Sequence, residues 1–196
     1  FPTRRSSDLE ITSFATNTLD TAMIFTSSGK MYKLPVDKIP EGTNATRGVN
    51  IGSMFTFEPK EQIQAVINLK HTTDAEYVVF FTKQGLIKKT KLEEYTNLRK
   101  NCGAQAIKIK EGDSLANVTF LKDEDVLVIT KNGMGIRFVT KDIAPIGRVT
   151  SGRKAIKLGT DDEVLVGLPI NRKNELKYLL TGSRNGLVCK IEIENF

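Results

Sequence analysis

One block of hydrophobic and polar positions recurs four times along the chain: an apolar strand, a polar turn ending in glycine, and a second, alternating strand. The copies run from Ala22 to Gly29, Tyr77 to Gly85, Asp125 to Gly133 and Tyr178 to Gly186, and their glycines stand 56, 48 and 53 residues apart. Each copy places Thr26, Thr82, Thr130 or Ser183 three residues before the glycine, and Ser28, Gln84, Asn132 or Asn185 directly before it. That chemistry suits a turn needing positive φ, so four tight hairpins are expected. No stretch sustains a 3.6-residue apolar period, so helix should be scarce.

The strand leaving each glycine alternates, and its fourth residue is always basic: Lys33, Lys89, Arg137 and Lys190. Period-2 geometry puts that residue on one face with Met31, Ile87, Gly135 and Val188, opposite Tyr32, Lys88, Ile136 and Cys189. A solvated strand face near an edge accounts for a single copy. Four copies at one repeat position predict a basic stripe able to track a phosphate backbone.

Beyond each full hairpin lie a polar connector and a glycine-centred basic segment: Asn44 to Ile51, Arg99 to Ile107, and Arg148 to Ile156. Acidic turns such as Glu111-Gly112-Asp113 and Asp161-Asp162-Glu163 precede a last strand. About four strands per fifty residues is the pattern of propeller-like blades, each needing its neighbours to bury both faces. The fold class is therefore all-β, with antiparallel four-stranded blades at approximately 20–70, 75–121 and 124–170 and a partial one at 177–196.

Charge sharpens this picture: 29 Lys+Arg against 23 Asp+Glu give a formal net charge of +6, which favours a polyanionic partner. Cys102 and Cys189 lie too far from any second ligand pair for a zinc site or disulfide framework, and His71 is the single histidine. The apolar runs are too short to span a bilayer and no signal peptide opens the chain, so a cytoplasmic protein is expected. The first nine residues, Phe1 to Leu9, match in every position the in-frame translation of a common sequencing-library adapter. They are expected to be foreign to the fold, and removing Arg4, Arg5 and Asp8 leaves +5.

The run Gly85 to Tyr95, Gly-Leu-Ile-Lys-Lys-Thr-Lys-Leu-Glu-Glu-Tyr, resembles the Gly-x-x-Lys-Lys/Arg-Thr-x-Leu-x-Glu-Tyr/Phe repeat in the C-terminal domain of the DNA gyrase A protein and its topoisomerase IV counterpart. Ile143 to Gly152 is similar to that family's Pro-Met/Ile-Gly-Arg segment, and Ile39-Pro40-Glu41 with Thr46-Arg47-Gly48 to its Ile-Pro-Glu and Thr-Ala-Arg-Gly elements. The resemblance spans about Asp20 to Phe196. It implies three to four blades of a six-bladed β-pinwheel whose blades exchange strands and whose basic rim wraps duplex DNA, here as an open arc with unpaired edges. The gyrase first-blade box, Gln-Arg-Arg-Gly-Gly-Arg-Gly, is absent, which leaves gyrase and topoisomerase IV both open.

The resemblance implies a DNA-binding and DNA-bending module, nucleoid-associated, that presents duplex for ATP-dependent strand passage and supercoiling without reading sequence. Its partners would be two B (ATPase) subunits together with a second copy of the A protein. ATP and Mg would act through other domains, so no cofactor and no catalysis are expected within this segment. Candidate DNA-contacting residues are Lys33, Arg47, Lys88, Lys89, Lys91, Arg99, Lys100, Arg137, Arg148, Arg153, Lys154 and Lys190. Tyr32, Tyr77, Tyr95 and Tyr178 occupy repeat positions and read as packing residues. An alternative is a propeller-type protein–protein interaction module, which would carry aromatic or acidic recognition residues on loops at one end of the ring.

Overall fold

The structure is a computed structural model that describes residues 14–43, 48–72, 74–98, 103–171, 177–183 and 185–196. The adapter-like segment 1–9, Cys102, and the candidate residues Arg47, Arg99 and Lys100 lie outside the described residues.

All four hairpins form where the glycines predict. They are β1 (Thr21–Thr26) with β2 (Lys30–Pro35), β4 (Tyr77–Thr82) with β5 (Leu86–Lys91), β8 (Asp125–Thr130) with β9 (Gly135–Val139), and β12 (Tyr178–Gly182) with β13 (Val188–Glu192). Gly29, Gly85, Gly133 and Gly186 have φ of +79°, +84°, +83° and +78°, the left-handed region that side chains disfavour. The recurring Thr or Ser now has a reason. Its carbonyl accepts the glycine N–H, and its hydroxyl oxygen accepts the next residue's N–H at 3.2 Å in the Thr82–Leu86 copy, 3.1 Å in Thr130–Met134 and 3.2 Å in Ser183–Leu187. Both turn donors are thus satisfied locally.

The acidic turns act as clasps on these hairpins. Asp113 Oδ1 accepts the Gln84 N–H at 3.0 Å, and Asp162 Oδ1 accepts the Asn132 N–H at 3.0 Å. The first of these turns leads into β7 (Leu115–Leu121), which pairs with β4, and the second into β11 (Val164–Ile170), which pairs with β8; β3 (Ile63–Asn68) pairs with β1 in the same position. Among the described residues, helix is confined to one turn, Glu93–Thr96, and a few 3-10 segments.

The outermost strands come from elsewhere. β6 (Ala104–Gln105), which follows the second hairpin, pairs with β2 of the first, and β10 (Arg153–Lys154), which follows the third, pairs with β5 of the second. The sheets therefore read β3-β1-β2-β6, β7-β4-β5-β10, β11-β8-β9 and β12-β13, all antiparallel. Sequence repeat and structural blade are offset, because the glycine-centred segments of the second and third repeats each complete the blade before their own.

The sheets stack face to face, with β3 against β7 and β7 against β11. Val78 and Phe80 on one face of β4 join Met23, Phe25 and Met31 of the first sheet, while Val79 and Phe81 on the other face join Val126, Val128 and Val164 of the third. Phe80 meets Phe25 edge-on at 5.7 Å between ring centroids. The unbroken apolar run of β4 follows from this two-sided burial, as in any strand covered on both faces.

A candidate nucleic-acid interface

Two-sided burial overturns one sequence expectation. Residues Met31 to Leu34 and Ile87 to Thr90 are all buried, on both faces of their strands, so the recurring basic residue forms no solvent-facing stripe in the first two blades. The Lys33 ammonium instead donates to the Thr96 and Leu98 carbonyls at 2.5 and 3.1 Å, in the connector of the second repeat. Lys89 donates to the Thr140 carbonyl at 2.7 Å, in the connector of the third, and lies 4.6 Å over the Tyr77 ring. Both are ties from one blade to the next. Arg137 is held to Asp125 at 3.1 Å, and only Lys190, 4.3 Å over Tyr178, is exposed.

Lys88 is a second correction to the same set, since its side chain is entirely buried. Its ammonium donates to the Ala106 carbonyl at 2.7 Å and also to the Arg148 carbonyl, and stands 5.4 Å over Phe80. Burial pulls its pKa down from 10.5 to about 7, opposed by the Glu94 carboxylate and reinforced by the Arg148 charge. The Lys89 pKa is lowered for the same first reason. Tyr95, fully buried, donates to the same Ala106 carbonyl at 2.9 Å, and burial raises its pKa.

The motifs that carried the family resemblance interlock at this point. The Ile146 N–H donates to the Lys89 carbonyl at 2.9 Å, the Arg148 N–H to Glu94 Oε2 at 2.9 Å, and the Arg148 guanidinium to the Gln105 carbonyl at 3.0 Å. Arg148 is therefore half-buried and engaged in packing. The Lys-Lys-Thr and Pro-Ile-Gly-Arg segments hold each other and the exchanged strand in place.

Of the remaining candidates, Lys91 is exposed and paired with Glu93 at 3.4 Å. Arg153 and Lys154 of β10 are exposed and form no ion pair among the described residues. Sequence reading passed over Lys108, Lys110 and Lys157, which are equally exposed and unpaired. A signal existed: windows 95–110 and 143–160 each carry four basic residues and no acidic one. The structure brings these windows together, with the Lys108 N–H donating to the Thr150 carbonyl at 3.0 Å. Among the described residues, no group of three or more His, Cys, Asp or Glu side chains is placed to hold a metal, and no helix is long and apolar enough to cross a membrane.

Stacked antiparallel sheets whose outer strand is supplied by the following repeat define a strand-exchanged, propeller-type array, all-β apart from single turns of helix. The chain belongs to the family described as DNA gyrase C-terminal domain, beta-propeller, whose model matches residues 20–70, 76–122 and 124–171. The DNA gyrase A protein of Mycobacterium bovis (strain BCG / Pasteur 1173P2) is 33% identical over 186 residues, 93% of this chain and 22% of that protein. Its counterpart in Clostridium acetobutylicum is 38% identical over 153 residues, 78% of this chain and 18% of that protein. The chain thus spans about a fifth of the length of these curated relatives. A solved gyrase A C-terminal domain superposes with a TM-score of 0.73 at 25% identity, covering 91% of this chain and 56% of the other. The topoisomerase IV C-terminal domain shares the fold, with a TM-score of 0.79 at 24% identity over 92% of this chain and 56% of that one.

Proposed function

We propose that this chain is a duplex-DNA-binding and DNA-bending segment of the A protein of a bacterial type II topoisomerase. It contacts phosphates without reading bases and presents the duplex for strand passage carried out elsewhere in the enzyme. The observation that carries this reading is the pair of exposed cations Arg153 and Lys154 on the exchanged strand β10, which form no ion pair among the described residues, in a chain whose family relatives are gyrase A proteins. Cations without a carboxylate partner are free to displace condensed counterions from DNA. No catalysis is assigned to this segment. The tyrosine nucleophile would belong to another domain, and ATP and Mg to other domains and the B subunits; the partners would be a second A protein and two B subunits, in the cytoplasm at the nucleoid.

Affinity should then fall linearly in log–log form with salt and differ little among unrelated duplexes. The measurement is a fluorescence-anisotropy titration at several salt concentrations. Replacing Arg153 and Lys154 together with glutamine should flatten the slope by up to about 1.8, at about 0.9 per phosphate contact. Exposed side chains of this kind leave the fold within about 0.5 kcal/mol of its original stability. An unsubstituted chain that binds duplex with no salt dependence would sink the reading.

A further inference from the structure

We propose that Lys108 and Lys157 are equivalent phosphate contacts on a basic track that crosses the blade boundary where the two acid-free windows meet. The inference rests on the duplex-binding reading above and assigns it to residues outside the recurring hairpin cations.

The two lysines occupy the same place in successive repeats, five residues after Gly103 and Gly152 and directly after an Ala-Ile pair. Their orientation is set by what flanks them. Ile107 and Ile109 close over Gly29, while Ile156 and Leu158 close over Gly85, where a Cβ would meet the Ile156 side chain at 3.2 Å and Leu158 at 3.5 Å. Alternation along an extended segment turns the residue between two inward side chains outward. Lys108 and Lys157 are accordingly exposed.

Charge segregation points the same way. Lys30, Lys70, Lys83, Lys91, Lys122, Lys131 and Lys141 each have a carboxylate partner within 4.0 Å. Lys108, Lys110, Arg153, Lys154 and Lys157 have none among the described residues; Lys38, Lys60, Lys177 and Lys190 also have none, but they stand apart from one another in the sequence, whereas these five cluster in the two windows. A lysine already neutralised gains little by moving to a phosphate, whereas an unpaired one in a stretch without acidic residues carries a field that attracts polyanions, and the Glu94 carboxylate at the junction is engaged by the Arg148 N–H. The hydrogen bonds from Lys108 N–H to Thr150 and from Arg148 to Gln105 make the two windows one surface. Lys88, reaching Ala106 and Arg148 from beneath, fixes their spacing.

The experiment compares two charge-matched double variants, Lys108→Gln/Lys157→Gln and Lys122→Gln/Lys141→Gln, by salt-dependent anisotropy with a mixed-sequence duplex. The first should lower the log–log salt slope by up to about 1.8, and the second should leave it nearly unchanged. Lysine acylation read by mass spectrometry on the unsubstituted chain gives a second measure: duplex should protect Lys108 and Lys157 and leave Lys122 and Lys141 reactive. Equal slopes for the two variants, or equal protection of the two lysine pairs, would overturn the assignment while the duplex reading stood. No binding by the unsubstituted chain would overturn both.

Discussion

Replacing Gly29 with alanine is expected to lower the unfolding free energy by about 3–5 kcal/mol, whereas the same change at Gly133 should cost only about 1–2 kcal/mol. The two residues have nearly the same backbone conformation, φ +79° and +83°, so the left-handed penalty is common to both. They differ in what surrounds them. A Cβ on Gly29 would run into the backbone carbonyl of Ile107 and stand 2.8 Å from the Ile109 side chain, while one on Gly133 would meet nothing within 4 Å. The Gly29 carbonyl also accepts the N–H groups of Ala106 and Ile107 at 2.8 and 3.1 Å, so displacing the exchanged segment costs hydrogen bonds as well as packing. Urea unfolding of both variants tests this. Equal losses would mean that the exchanged segment yields freely and does not clamp the preceding hairpin.

Stability should rise with pH between about 7 and 10, by on the order of 3 kcal/mol from Lys88 alone between about pH 7 and 9.5. The sign follows from proton counting. In the unfolded chain Lys88 keeps its proton until about 10.5, and in the folded one burial releases it near 7, so across that window the unfolded state binds more protons. Below about 7 both states are protonated and the contribution no longer changes. Lys89 contributes in the same sense, and Tyr95, whose pKa burial raises, acts in the opposite sense only above its ordinary value of 10.0. Denaturant unfolding of the unsubstituted chain and of Lys88→Met across this range isolates the effect. The variant's curve should be flatter, and parallel curves would show that Lys88 keeps its proton in the folded state.

Arg153 and Lys154 were legible as surface cations because they lie in a short polar segment whose exposure needs no neighbour to decide it. Lys33, Lys88 and Lys89 were misread for a definite reason. Alternation tells which residues share a face, but not whether that face meets water or another sheet. A lysine with a free ammonium and one donating to a carbonyl across a blade boundary have the same local sequence. Lys108 and Lys157 fall outside the hairpin repeat, the strongest periodic signal, although the acid-free windows around them were visible in the chain.

By itself, the sequence determined the repeat, the all-β class, the four hairpins and their turn conformations. These depend on contacts within a few residues: a glycine at positive φ, and a Thr or Ser whose carbonyl and hydroxyl satisfy the turn. Only the tertiary structure decided which sheet β6 and β10 would complete and which cations would be buried. A two-residue strand carries too little pattern to specify its partner, and its position is imposed by hydrogen bonds and packing from distant segments, as where Ala106 meets Gly29 and Arg148 meets Lys88 and Glu94. Burial of Lys33, Lys88 and Lys89 follows from that exchange and stacking, which place neighbouring sheets or connectors on both faces of a strand and set backbone carbonyls where the ammonium groups can bond them.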